Sequence, residues 1–244
     1  MKILHSISSF VAGIAMMVIL LITSFEIGAY SSFGWYEKEY AKYDVLTDLE
    51  MEMEDVMEVT KEMMAYLRGN REDLVVETVV DKEEREFFND REKAHMVDVK
   101  DLFIGGLWLR RSALALLIAV IFVLVKTRAD WKRLLPKSFL IVMGAFIGIT
   151  ASAGALFLSD FNRYFTLFHE LFFDNDLWLL DPRTDLLIRM LPEGFFLDMV
   201  VRIGVIFLLL MVIVAGGSVG LIIMDKKRKK CTNEDKCVMI EEIR

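Results

Sequence analysis

Cysteine is nearly missing from this chain: two among 244 residues, Cys231 and Cys237, both close to the carboxyl end. No disulfide can therefore staple any earlier segment, and no thiol nucleophile is available there. Two cysteines without histidines beside them also make a poor zinc site. Proline is scarce as well, with three residues, and no Ser/Gly-rich stretch or internal repeat of 20–50 residues marks a linker or a solenoid. One compact unit is expected. A metal signature is absent too: no HExxH helix occurs, so zincin chemistry has no sequence basis.

What the chain does have is apolar length. Hydrophobic residues make up 55%, and a bilayer-spanning helix needs roughly 20 of them in a run. Four such runs are present, at residues 7–27, 108–125, 139–158 and 201–224. The first is longer than the roughly 7–15-residue core of a cleavable signal and lacks a clean small-x-small site, so it is read as a retained span. Basic residues set the orientation. Lys126, Arg128, Lys132, Arg133 and Lys137 fill the loop 126–138, and Lys226, Lys227, Arg228, Lys229 and Lys230 open the tail 225–244. Both are expected in the cytoplasm, with both chain ends, although Arg110 and Arg111 oppose the rule locally. Segments 28–107 and 159–200 are then extracytoplasmic. The formal charge of −7 hides an asymmetry, because the first outer segment is acidic, which argues against nucleic acid and against adhesion to anionic headgroups on that side.

Within segment 28–107, Tyr36 to Arg68 carries apolar residues mostly three or four apart and ends at Gly69-Asn70, which predicts a helix with a stop signal. Leu74–Val80 is β-branched and bounded by charge, and reads as a strand. Lys82–Phe103, which contains His95, leads into the second span. In segment 159–200, Ser159–Phe173 is expected to continue the third span as a helix. Asp181-Pro182 reads as a helix start, with the short helix stopping before Pro192. The expected fold class is an α-helical integral membrane protein with four spans and a small mixed α/β extracytoplasmic domain.

Residues 161–196, FNRYFTLFHELFFDNDLWLLDPRTDLLIRMLPEGFF, are too polar to cross a bilayer and too apolar to leave one. Helical spacing places Asn162, Thr166 and His169 on one face, with Arg163 and Glu170 on the next, where they could pair. An imidazole among Phe165, Phe168, Phe172 and Phe173 must be hydrogen-bonded, because an unpartnered buried polar group costs about 1–3 kcal/mol. A satisfied interfacial histidine is the plain alternative. Against it stand the scarcity of extracytoplasmic histidine, His95 and His169 only, and the functional default for polar groups at membrane depth. His5, at the inner end of the first span, reads as incidental.

The strings YFTLFHELFF, NDLWLLDPRTDLLIRMLPEGFF and HMVDV, with the four-span layout, resemble the lipoprotein intramolecular transacylase family of Gram-positive bacteria. The resemblance is dense in 161–196 and weaker around His95. It implies an enzyme that moves the sn-2 acyl chain of a diacylglyceryl-cysteine lipoprotein onto the α-amino group of the same cysteine. It also implies an outer cup with β-structure, and active-site histidines at His169 and His95. No cofactor and no metal is implied; diacylated lipoproteins are the expected substrate and membrane lipid the expected surroundings of a monomer.

The chemistry agrees independently. Nucleophile and ester are already tethered, so no enzyme nucleophile is required. Histidine, with an unperturbed pKa near 6.5, can take a proton from the attacking nitrogen and return it to the departing glycerol oxygen. His169 is assigned that shuttle. His95, Arg163 and Asn162 are candidate oxyanion donors, and Asn175 and Asp181 further substrate-binding candidates. Asp98 and Asp181 are candidates to orient a histidine; for Asp181 the helix cap is the preferred alternative. Tyr164, Trp178, Asp185 and Glu193 have open roles. Phospholipid-dependent intermolecular N-acylation, and a non-enzymatic membrane sensor or assembly factor, are the rival readings. The tail CTNEDKCVMIEEIR carries no readable function and is expected to be unstructured.

Overall fold

The computed structural model describes the backbone of residues 1–241 and, except at 153, 157, 158 and 228–241, their side chains. The two cysteines, Cys231 and Cys237, thus lie outside the described side chains. Helix α1 spans Lys2–Tyr30, α2 Phe33–Lys42, α3 Val45–Leu49 and α4 Met53–Leu67; strands β1 (Glu77–Val80) and β2 (Glu83–Glu86) follow. Then come α5 (Asp90–Lys126), α6 (Trp131–Ser159), α7 (Phe161–Phe172), α8 (Leu186–Met190) and α9 (Glu193–Glu241), the last running through the tail for which no structure was expected.

Helices α1, α5, α6 and α9 are each long and apolar enough to cross a bilayer, as the sequence predicts. The expectation of one compact unit is not met. The chain divides into two, one made of Met1–Thr23, Arg110–Ser152 and Phe207 onward, the other of Ser24–Leu109 and Ala153–Ile206. The physical reason lies in the cores. In the first unit, small buried clusters such as Met17, Phe139, Phe207 and Met211 hold helices whose remaining apolar faces, Phe122, Ile141 and Ile213 among them, stay open, as lipid-facing helices do. The second unit has a contiguous core of its own, with Tyr36, Tyr40, Val56, Met63, Phe87, Phe88, Met190 and Phe195 buried together.

The helix predicted over Tyr36 to Arg68 is three helices. Asp44 and Glu50 adopt left-handed backbone angles, φ 53° and 52°, and each ends a helical run. Apolar spacing survives such breaks because all three helices bury one face in the same core, so periodicity alone does not reveal them. The stop at Gly69 is as expected: φ is +80°, and the amide of Asn70 donates to the carbonyl of Ala65 at 2.9 Å, closing a Schellman-type end. Tyr40 donates to Thr60 at 2.7 Å, since the Thr60 hydroxyl proton is used on the Val56 carbonyl at 2.8 Å.

The predicted strand begins later, at Glu77, and pairs antiparallel with β2 in the register Glu77 opposite Glu86 and Val80 opposite Glu83. Asp81 and Lys82, both with positive φ, form the two-residue turn that matches strand twist. Facing carboxylates at Glu77 and Glu86 disfavour the pair, and Lys93, 2.5 Å from Glu86, offsets this. This hairpin is the only sheet among the described residues.

Candidate active site

The segment that carries His95 is fixed by its own sequence. Asn89 and Glu92 form a reciprocal capping box at the start of α5: the Asn89 amide donates to Glu92 Oε2 at 2.8 Å and the Glu92 amide to Asn89 Oδ1 at 3.0 Å. The other Glu92 oxygen accepts from the amide of Leu187 at 2.6 Å, and Asn89 Nδ2 donates to Asp185 at 2.8 Å. Asp185 in turn accepts from the Asp181 amide at 2.6 Å. One fully buried carboxylate thus ties α5 to α8, and Asn89 ties it to the loop before that helix. Burial pushes the pKa of Glu92 up against the opposing pull of the Leu187 and Asn89 amides. His95 follows three residues later, on the same face of the helix.

His169 sits in the last turns of α7. That helix does not continue the third span; Asp160 breaks it, accepting from the Arg163 amide at 3.2 Å as an N-cap. A polar acceptor at a helix boundary redirects the chain where an apolar residue would have let the helix run on. The His169 ring is buried, and its Nδ1 lies 2.7 Å from the carbonyl of Phe165, one turn back. A carbonyl can only accept, so Nδ1 carries the hydrogen and the basic lone pair of the neutral ring is on Nε2. The hydrogen bond demanded by burial is therefore made within the helix itself.

Aromatic rings enclose this imidazole. Phe165 is at 4.1 Å between centroids, Trp178 is stacked at 4.8 Å and 28°, and Phe168 and Phe173 are at 5.3 and 5.5 Å. His95 lies across the cluster, its centroid 6.1 Å from that of His169 and 5.3 Å from Phe173. Its Nδ1 is buried and makes no hydrogen bond. The first 18 residues of α5 carry seven charges and cannot lie in hydrocarbon, so His95 stands outside the span. Burial and the neighbouring His169 lower its pKa to about 4, with Asp98 pulling the other way. Burial lowers that of His169 too, against the Phe165 carbonyl. Both rings are neutral at pH 7: each offers one donor and one lone pair.

The other sequence candidates fall elsewhere. Asn162 donates to Glu193 at 3.4 Å, and with Arg163, Thr166, Leu167 and Glu170 it lines a cleft of about 430 Å³ whose lining does not include His169. Arg163 and Glu170 form no ion pair. Asp181 neither caps a helix nor meets a histidine: it accepts from the Arg183 amide and pairs with the Arg183 guanidinium, which holds its carboxyl down to about 2, and residues 182–184 are a turn. The short helix begins only at Leu186, because an Asx-type turn satisfies Asp181 locally. Asn175 donates to Asp98 at 2.8 Å, so Asp98 is engaged by the loop and not by an imidazole. Sequence reasoning missed Asn89 and Glu92; the N-x-x-E spacing before a helix was the available signal.

Fold and site together define a multi-pass helical membrane protein with an uncharged imidazole pair in an aromatic enclosure. Solved structures of the membrane-integral lipoprotein intramolecular transacylase Lit from Bacillus cereus share this fold. One is 17% identical with a TM-score of 0.65, covering 96% of this chain and 100% of that one. Two others, variants in which one histidine is replaced by arginine or by alanine, are 18% identical with TM-scores of 0.70. They cover 94% and 93% of this chain, and 96% and 97% of theirs. No curated protein matches the chain. Residues 10–196 match the family described as Lipoprotein intramolecular transacylase Lit, and the chain belongs to that family. It is an acyl-transfer enzyme of the membrane, acting within one lipoprotein molecule.

Proposed function

We propose that the transfer proceeds with His169 as proton shuttle and His95 as donor to the developing oxyanion, on the extracytoplasmic side. The cysteine α-amine attacks the sn-2 ester carbonyl of the same lipid-modified residue. Nε2 of His169 takes the proton released from nitrogen; the C–O bond then breaks and the imidazolium returns that proton to the glycerol oxygen. An amide and a free sn-2 hydroxyl result, with no water consumed and no cofactor needed. The tether supplies proximity, and the chain supplies a fixed tautomer.

The observation that carries this reading is the Nδ1 contact to the Phe165 carbonyl, which directs the lone pair outward from the helix without any carboxylate partner. His95 supports it: a neutral imidazole with a buried unbonded nitrogen is a group whose missing hydrogen bond a substrate oxygen can complete. The basic loop 126–138 and tail start favour the cytoplasm, which leaves α7 and the start of α5 outside. Mixed helical and hairpin structure there fits the small α/β domain expected from sequence.

Lipopeptide mass spectrometry of a lipoprotein produced with and without this chain tests the reaction. Total acyl mass should be conserved while one acyl group moves to nitrogen. Isotope from labelled phospholipid tails appearing on nitrogen would instead mean an intermolecular donor. His169→Ala should lower the rate by about 10²–10⁴-fold, and His95→Ala by about 10²–10³-fold, at unchanged membrane level.

A further inference from the structure

Trp178 is the one ring of the aromatic enclosure that does not come from α7 or its end. It arrives on the loop 174–178, which is clipped to α5 at two points: Asn175 donates to Asp98 at 2.8 Å, and Arg91 donates to the Asp176 carbonyl. Inside the loop, the Leu177 amide donates to Asn175 Oδ1 at 3.0 Å and the indole Nε1 to the Asn175 carbonyl at 3.0 Å. The indole plane is therefore set by the helix that carries His95, while its face lies 4.8 Å from the His169 ring at 28°. Hydrophobic packing needs no such directional bonds. A flat π-face held against an imidazole does two things: it fixes the ring's rotation about χ2, and it attracts the cation that the ring becomes.

We propose that Trp178 is a positioning residue for His169, holding the imidazole in the plane that aims Nε2 and favouring its protonated form when it takes the proton. This rests on His169 acting as the shuttle. The groups able to influence the same charge are His95, Asp98 and Arg91 from α5, Asp174 and Asp176 from the loop, and Glu170 from α7. The indole is uncharged and in ring contact, so its effect separates from theirs by being insensitive to salt.

The test uses the full-length protein in lipid nanodiscs, with ¹⁵N-labelled histidine followed by NMR through a pH titration, alongside turnover on a diacylated lipopeptide. Trp178→Leu should lower the His169 pKa by about 0.5 unit and reduce kcat by about tenfold with KM nearly unchanged. Trp178→Phe should recover most of both. Asn175→Ala, which frees the loop from Asp98 and leaves the indole in place, should move the same quantities in the same direction by less, and serves if the leucine variant does not fold. An unchanged His169 titration in Trp178→Leu, or a loss expressed in KM alone, overturns the proposal. Since the titration does not depend on turnover, it stays readable if His169→Ala proves active, in which case the shuttle reading fails and the stacking result stands apart.

Discussion

At the residue scale, the proposed site is two imidazoles kept neutral by burial, and the sign of that effect fixes its pH behaviour. A histidine whose folded pKa is lowered binds fewer protons than in the unfolded chain below pH 6.5. Its contribution to stability is thus complete above 6.5 and is lost as pH falls toward the folded value, about 4 for His95. Chemical or thermal unfolding should therefore show stability declining from pH 6.5 downward, and His95→Asn should flatten that decline. Activity has a different controlling group. With both imidazoles already neutral, the rate should keep rising with unit slope from pH 6.5 toward about 8, where the substrate α-amine loses its proton; a plateau already reached at pH 6.5 would show that amine deprotonation is not involved. The need for a hydrogen bond at His169 was legible in the sequence, because an imidazole at helical spacing among phenylalanines had to find a partner. That the partner is the Phe165 carbonyl was not, since a backbone acceptor leaves no trace in side-chain identity.

Helices and loops are where the sequence reading was weakest, and for one reason. Asp44, Glu50 and Asp160 each end a helical run by local backbone or capping geometry, and none of the three disturbs the apolar periodicity around it. The β2 strand, EERE, was invisible because it buries almost nothing and is held by its turn and by β1. Conversely Gly69 and the four long apolar helices were plain. The clip between α5 and α8 gives the sharpest element-level test. Glu92→Ala removes the acceptor for the Leu187 and Asn89 amides in a buried place, and should cost about 1–3 kcal/mol while leaving the four spans inserted. Glu92→Gln, which keeps one acceptor oxygen, should cost less. Gly194, at the start of α9, meets the Tyr43 ring so closely that a Cβ would overlap it; Gly194→Ala should destabilise by about 1–3 kcal/mol, and Tyr43→Ala in the same chain should relieve part of that loss. Denaturation monitored by tryptophan fluorescence reads both.

At the scale of the whole molecule, the proposed orientation rests on where the lysines and arginines fall, and it is directly measurable. With Cys231 and Cys237 replaced by serine, a cysteine introduced at Glu77 should react with a membrane-impermeant maleimide in intact cells, and one at Lys132 should react only after permeabilisation. The reverse pattern would put the imidazole pair in the cytosol and end the proposed reaction. The division into two units has a practical consequence. The two imidazoles proposed to act, and the hydrogen bonds described around them, belong to the unit containing α7, whose core is separate from the clusters joining the long apolar helices. A purified preparation can therefore keep a strong helical circular dichroism signal after the half that holds the imidazole pair has melted, and only turnover or fluorescence from that half reports whether a given detergent has preserved it.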